Sequence, residues 1–95
     1  MIKVVAKNFA KENKIDKILE LAKELVEKTV KEVGCIKYEM YQNTKEPTEL
    51  IMLEEWETEE DLNNHMSSEH FKRIILQMAE YLRKKAEINI YKKVI

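Results

Sequence analysis

Apolar residues recur along this chain with two periods, and the switches between them predict the elements. Ile2, Val4, Ala6 and Asn8 alternate with Lys3, Val5 and Lys7, which predicts a first strand with the first set on one face. From Ile15 the spacing becomes three and four: Ile18, Leu19, Ala22, Leu25, Val26, Thr29, Val30 and Val33 continue one stripe. The other surface is Lys and Glu, with Glu24–Lys28 and Glu27–Lys31 as (i, i+4) pairs. This is an amphipathic helix, with Asn13 expected as its N-cap and Asp16 at N3. Gly34, the single glycine, follows the last periodic residue, where a left-handed C′ position explains it.

Alternation returns at Cys35–Tyr41, placing Ile36, Tyr38 and Met40 inward and Cys35 outward. Asn43 to Thr48, with the single proline at Pro47, is a turn before a third strand over Leu50–Trp56. Thr58 caps a short helix with Asp61 at N3 and Leu62, His65 and Met66 on its inner face. Ser68 caps another, with Phe71, Ile74, Ile75, Met78 and Leu82 inward and Arg83-Lys84-Lys85 at its end. Glu87 to Val94 is the last strand. The order β-α-β-β-α-α-β predicts an α+β, ferredoxin-like split βαβ fold: a four-stranded antiparallel sheet with a broken second helix. Helices on one face leave the other open, and Val5, Ile51, Leu53, Cys35 and Tyr91 have the parity to line it. A second copy of the chain is the economical cover.

Composition narrows the possibilities. Ninety-five residues make a single domain, 1–95, that as a monomer buries only ~65% of its unfolded surface. Hydrophobic residues are 44% and charged residues 37%, a globular balance. The net charge of -1 argues against nucleic-acid partners, and no apolar run is long enough for a membrane span. One cysteine, and an N-terminus without a signal-peptide layout, point to the cytoplasm.

The chemistry concentrates in the middle of the chain. Glu54-Glu55-Trp56 closes a strand, His65 falls near the end of a short helix, and Ser68-Glu69-His70-Phe71 opens the next. Together with Gly34-Cys35-Ile36-Lys37-Tyr38 upstream, these motifs resemble the antibiotic biosynthesis monooxygenase (ABM) family. The resemblance spans nearly the whole chain. It implies a dimeric α/β barrel, and small quinol monooxygenase-like proteins that work without metal or flavin. It also implies that Trp56 lines a pocket, that Asn8 helps bind substrate, and that the Ser-x-His-Phe pattern around His70 is largely structural. Relatives that degrade haem have an axial histidine where this chain has Ile74-Ile75, and a pocket tryptophan where it has His65, so haem degradation is not expected.

Each candidate has a plainer reading. Trp56 is either a stacking wall for a flat substrate or a core residue whose N–H needs a partner. His65 is either a general base that orients a substrate hydroxyl or a satisfied half-buried histidine. Asn8 either binds substrate or ends a strand. Tyr38 and Glu54 share the inward face, which suggests a hydrogen bond between them; a raised Glu54 pKa is the functional alternative. Phe71 and His70 complete the expected pocket. Cys35 has no base beside it in sequence and reads as an interface thiol. No metal is expected, because His65 and His70 are five apart across a helix break and no set of four ligands appears. Arg83-Lys84-Lys85 reads as a solvated helix end.

These readings favour a cofactor-independent monooxygenase of a small aromatic or quinol-type substrate. Two alternatives stand beside it. One is a non-oxidative isomerase or degradation enzyme for a small carbonyl signalling compound. The other is a non-catalytic dimeric stress or binding module.

Overall fold

A computed structural model describes residues 1–95. Its elements are β1 (Ile2–Phe9), α1 (Ile15–Thr29), β2 (Cys35–Gln42), β3 (Glu49–Trp56), α2 (Glu59–Met66), α3 (Glu69–Ala79) and β4 (Glu87–Lys92), with a 3-10 turn at Glu12–Lys14. The strands form one antiparallel sheet in the order β2-β3-β1-β4. This is the α+β ferredoxin-like arrangement, with the second helix broken into α2 and α3.

Alternation decides which strand residues meet the helices. Val4, Ala6 and Asn8 on β1 and Leu50, Met52, Glu54 and Trp56 on β3 are all buried. They pack with Ile18, Ala22 and Leu25 of α1, Leu62 of α2 and Ile74 and Met78 of α3. Arg73 of α3 ties the two long helices together through Glu24 of α1 at 2.6 Å.

The ends of the elements depart from the sequence expectation in four places. Asn13 lies inside the 3-10 turn with non-helical backbone angles, and α1 starts after Lys14 without a side-chain cap. The helix stops at Thr29, so Val30 and Val33 are exposed and Gly34 is not at C′. Gly34 does have positive φ, +82°, in the turn that launches β2. The third departure is a β-bulge. Cys35 pairs with Trp56 and Lys37 with Glu55, so Ile36 is extra. The extra residue shifts the parity: Ile36 is half exposed and Cys35 packs against the core. Finally, α3 ends at Ala79, and Lys11 and Arg83 donate backbone bonds that lash residues 81–83 to the end of β1.

The opposite face of the sheet carries no helix. Cross-strand rows there read Tyr41–Ile51–Lys7, Glu39–Leu53–Val5 and Lys37–Glu55–Lys3. Glu55 joins Lys3 at 3.3 Å and Lys37 at 3.9 Å.

Candidate functional site

Glu54 stands mid-sheet, opposite Tyr38 on β2 and Val4 on β1. A carboxyl this deep needs a partner. It finds one two residues along its own strand, where the Trp56 indole N–H donates to Glu54 Oε1 at 3.0 Å. The expected Tyr38–Glu54 bond is therefore replaced by Trp56–Glu54, because residues i and i+2 point to the same side of a strand. Burial pushes the Glu54 carboxyl up to about 7, the Trp56 N–H opposes that rise, and the charge of Glu32 adds to it. Tyr38 is also driven up, first by burial and then by Glu54 and Glu32, so its phenol stays neutral.

His65 is carried in by α2, whose first turn is fixed by Thr58 accepting the Asp61 N–H. Its ring lies among aromatics, with centroids 4.7 Å from Phe71, 4.8 Å from Trp56 and 5.2 Å from Tyr38. It is 1% exposed. Nδ1 lies 2.8 Å from Glu32 Oε2, and His70 Nε2 reaches the same oxygen at 2.8 Å. On the other edge of the His65 ring, Nε2 is buried without a hydrogen-bond partner. Burial lowers the His65 pKa and the bond to Glu32 works against that. The break between α2 and α3 is held by Ser68, which caps α3 by accepting the Phe71 N–H and donates to the His65 carbonyl at 2.6 Å.

Glu32 is the residue that sequence pattern did not single out. It lies past the end of α1, in the turn closed by Gly34, and looks like one more glutamate of a charged helix. The spacing of five argued against a shared ligand set for the two histidines. The α2–α3 break folds His70 back instead, and both rings meet one carboxylate. The donor atoms of Glu32, His65 and His70 lie within 4.8 Å of one another, a set of three that could close on a divalent ion.

Between the sheet, α2, α3 and β4 lies a mostly apolar cavity of about 570 Å³. Asn8, Tyr38, Glu54, His65 and Phe71 all border it. Trp56 and His70 do not: Trp56 is fully buried behind His65, and His70 faces Glu32. Asn8 is buried at the cavity edge, with its amide 3.5 Å from the Ala6 carbonyl. Arg83, Lys84 and Lys85, read from sequence as a solvated helix end, border the cavity beside Ile88 and Ile90. The arrangement offers an apolar hold, a neutral imidazole and a carboxyl that titrates near neutrality. Cys35 lies outside it, its thiol pushed up to about 11 by burial and by the charges of Glu32 and Glu54.

Comparison with known proteins agrees with this fold. A conserved protein of Methanosarcina mazei has a crystal structure similar to this chain at TM-score 0.96, with 48% identity, 98% of this chain covered and 92% of that one. An antibiotic biosynthesis monooxygenase crystal structure matches at TM-score 0.95 and 34% identity over 100% of both chains. An uncharacterised protein of Synechocystis sp. is 31% identical over 90 residues, 94% of this chain; the chain spans only 61% of that relative. The family model described as antibiotic biosynthesis monooxygenase matches residues 1–76, most of the length, and the chain belongs to that family.

Proposed function

We propose that the chain is a monooxygenase of a small aromatic or quinol-type substrate, working in the cytoplasm as a homodimer without flavin, haem or metal. One observation carries the reading. A buried imidazole, kept neutral by its surroundings, borders an apolar cavity of ligand size with one ring nitrogen free. His65 is the proton acceptor for a substrate hydroxyl, and Asn8, Tyr38 and Phe71 hold the ring. Loss of that proton gives an electron-rich anion that itself reduces dioxygen. One oxygen atom stays on substrate carbon, and the other leaves as water with the two hydrogens given up there. Glu54, protonated below about pH 7, donates to a substrate oxygen.

The second reading is acid–base chemistry on a small carbonyl compound without oxygen. Two histidines joined through one carboxylate favour it, because such a cluster can move protons with no oxidant. A panel of hydroquinols, anthrones and small carbonyl compounds, followed by oxygen uptake and product mass, separates the two. Oxygen uptake that depends on substrate, with one oxygen atom gained, supports the monooxygenase. His65→Ala should then lower the rate by ~10²-fold or more. Turnover without oxygen uptake supports the carbonyl enzyme. Cavity binding with no turnover leaves a non-catalytic binding module.

A further inference from the structure

The cavity places His65 but does not explain its orientation. A ring hemmed in by Trp56, Tyr38 and Phe71 could turn either nitrogen toward substrate, and only one is useful as a base. In neutral imidazole one nitrogen carries the proton and the other the lone pair, and the partner of the first fixes which is which. A carboxylate accepts hydrogen bonds and offers none. Glu32 Oε2 at 2.8 Å from Nδ1 therefore requires the proton on Nδ1 and leaves the lone pair on Nε2. Neither Glu32 nor His70 borders the cavity, whereas His65 does, and Nε2 is the ring nitrogen left without a partner.

We propose that Glu32 is the positioning residue of the site: its carboxylate holds the His65 ring with Nδ1 protonated and Nε2 free for a substrate hydroxyl, while His70 anchors the carboxylate. The inference rests on the reading of His65 as the proton acceptor, but its first test needs no turnover. The substrate class it fits is an acidic O–H compound, a phenol or an enol, whose proton passes to Nε2 while the carboxylate stabilises the imidazolium that forms. No bond to carbon is made or broken in this step. The proton moves from substrate oxygen to Nε2 and returns to product or water after the chemistry.

His70 gains a role from the same geometry. Its Nε2 bonds the same Glu32 oxygen at 2.8 Å and lies 3.5 Å from Ser68 Oγ. Two N–H donors on one oxygen fix the carboxylate against rotation. The titratable groups that face His65 are then Glu32 from the turn after α1, His70 from α3 and Tyr38 from the sheet, while Glu54, Arg83, Lys84 and Lys85 border the same cavity.

Long-range nitrogen–proton NMR of the full chain labelled at histidine, at about pH 8, reads the tautomer directly. The expected result is a protonated Nδ1 and a bare Nε2 on His65 in the wild type. Glu32→Ala should release that preference, and Glu32→Gln should retain it, since the amide oxygen still accepts from Nδ1. If Glu32→Ala does not fold, the wild-type spectrum decides alone: an Nε2–H tautomer overturns the proposal. Once a substrate turns over, Glu32→Gln should lower kcat on the order of 10-fold and move the acid limb of kcat/KM to lower pH. An unmoved limb overturns it, because a purely structural carboxylate would leave the pH profile alone. Zinc added to the wild type supplies the remaining outcome. Stoichiometric tight uptake that shifts both histidine spectra would make the cluster a metal site and overturn the proposal. Failure of every substrate in the panel, with the Nδ1–H tautomer observed, would remove the reading of His65 as a base and leave Glu32 as its positioning residue.

Discussion

Glu54 and Trp56 resolve each other's burial, and that pairing has a measurable pH signature. A rise from an ordinary value near 4.5 to about 7 corresponds to roughly 3 kcal/mol at about 1.4 kcal/mol per pH unit. The sign follows from which form the fold disfavours. Below pH 4.5 the carboxyl is protonated folded and unfolded alike, and nothing is lost. As pH climbs through 7, the folded chain must hold a charge that the unfolded chain carries freely, so stability falls. Glu54→Gln keeps an oxygen for the Trp56 N–H and has no charge to hold. Urea denaturation should therefore find it no more stable than wild type at pH 4, and more stable by up to about 3 kcal/mol at pH 8. His65 contributes the opposite slope: its lowered pKa gives stability above its unfolded value that is lost as pH falls through the folded one. That term is common to both proteins and cancels in the difference. A gap that does not change with pH would mean that the carboxyl titrates alike in the folded and unfolded chains, with no rise on burial. At this scale the sequence was half legible. Trp56, His65, Tyr38 and Asn8 stood out by type and parity. Glu32 did not, because its role depends on a turn and on a helix break, neither of which alters the identity of its neighbours.

The elements show why their ends were harder to read than their existence. Periodicity reports which residues share a face, and the stripe of α1 continues through Val30 and Val33 although the helix has stopped. The chain leaves the helix early and turns through Gly34, and this brings Glu32 up to α2. Bulges are invisible to a strict alternation, which by itself puts Ile36 inward and Cys35 outward. Gly34 itself was recognisable as a positive-φ residue, for a reason one element removed from the true one. It abuts the first turn of α2, where a Cβ would overlap the Asp61 carboxylate. Asp61 cannot simply swing away, since its backbone N–H and its carboxylate both bond Thr58. Gly34→Ala should thus cost more than the roughly 1 kcal/mol of a left-handed backbone alone, about 2–3 kcal/mol in all. Chemical denaturation measures it. A loss of a few tenths would mean the turn relaxes into a different path without consequence for α2.

At the scale of the molecule, the fold class was legible because element order and strand parity determine it, and the same parity identifies the face left open. Val5, Ile51 and Leu53 sit in adjacent cross-strand positions with Tyr41 and Tyr91 about half exposed beside them. The Lys37–Glu55–Lys3 ladder borders this apolar strip and supplies charge pairs for a facing surface. Helices on only one side of an antiparallel sheet leave such a strip to water unless something packs on it. A small domain with a cavity of about 570 Å³ in its main layer has correspondingly less core to stabilise a monomer. A second copy meeting the first through this face would bury both strips. We expect sedimentation to give twice the chain mass, with a melting temperature that rises with concentration, as linkage requires when association stabilises the fold. Leu53→Glu places a charge at the centre of the strip and opposite Val5, far from the cavity side of the sheet. It should shift the wild-type dimer to monomer and remove the concentration dependence. Because Leu53 alternates with Met52 and Glu54, the inner face should keep its ligand affinity if each protomer holds a complete site. A monomeric wild type would instead mean that the strip is simply solvated, with the charge ladder keeping the chains apart.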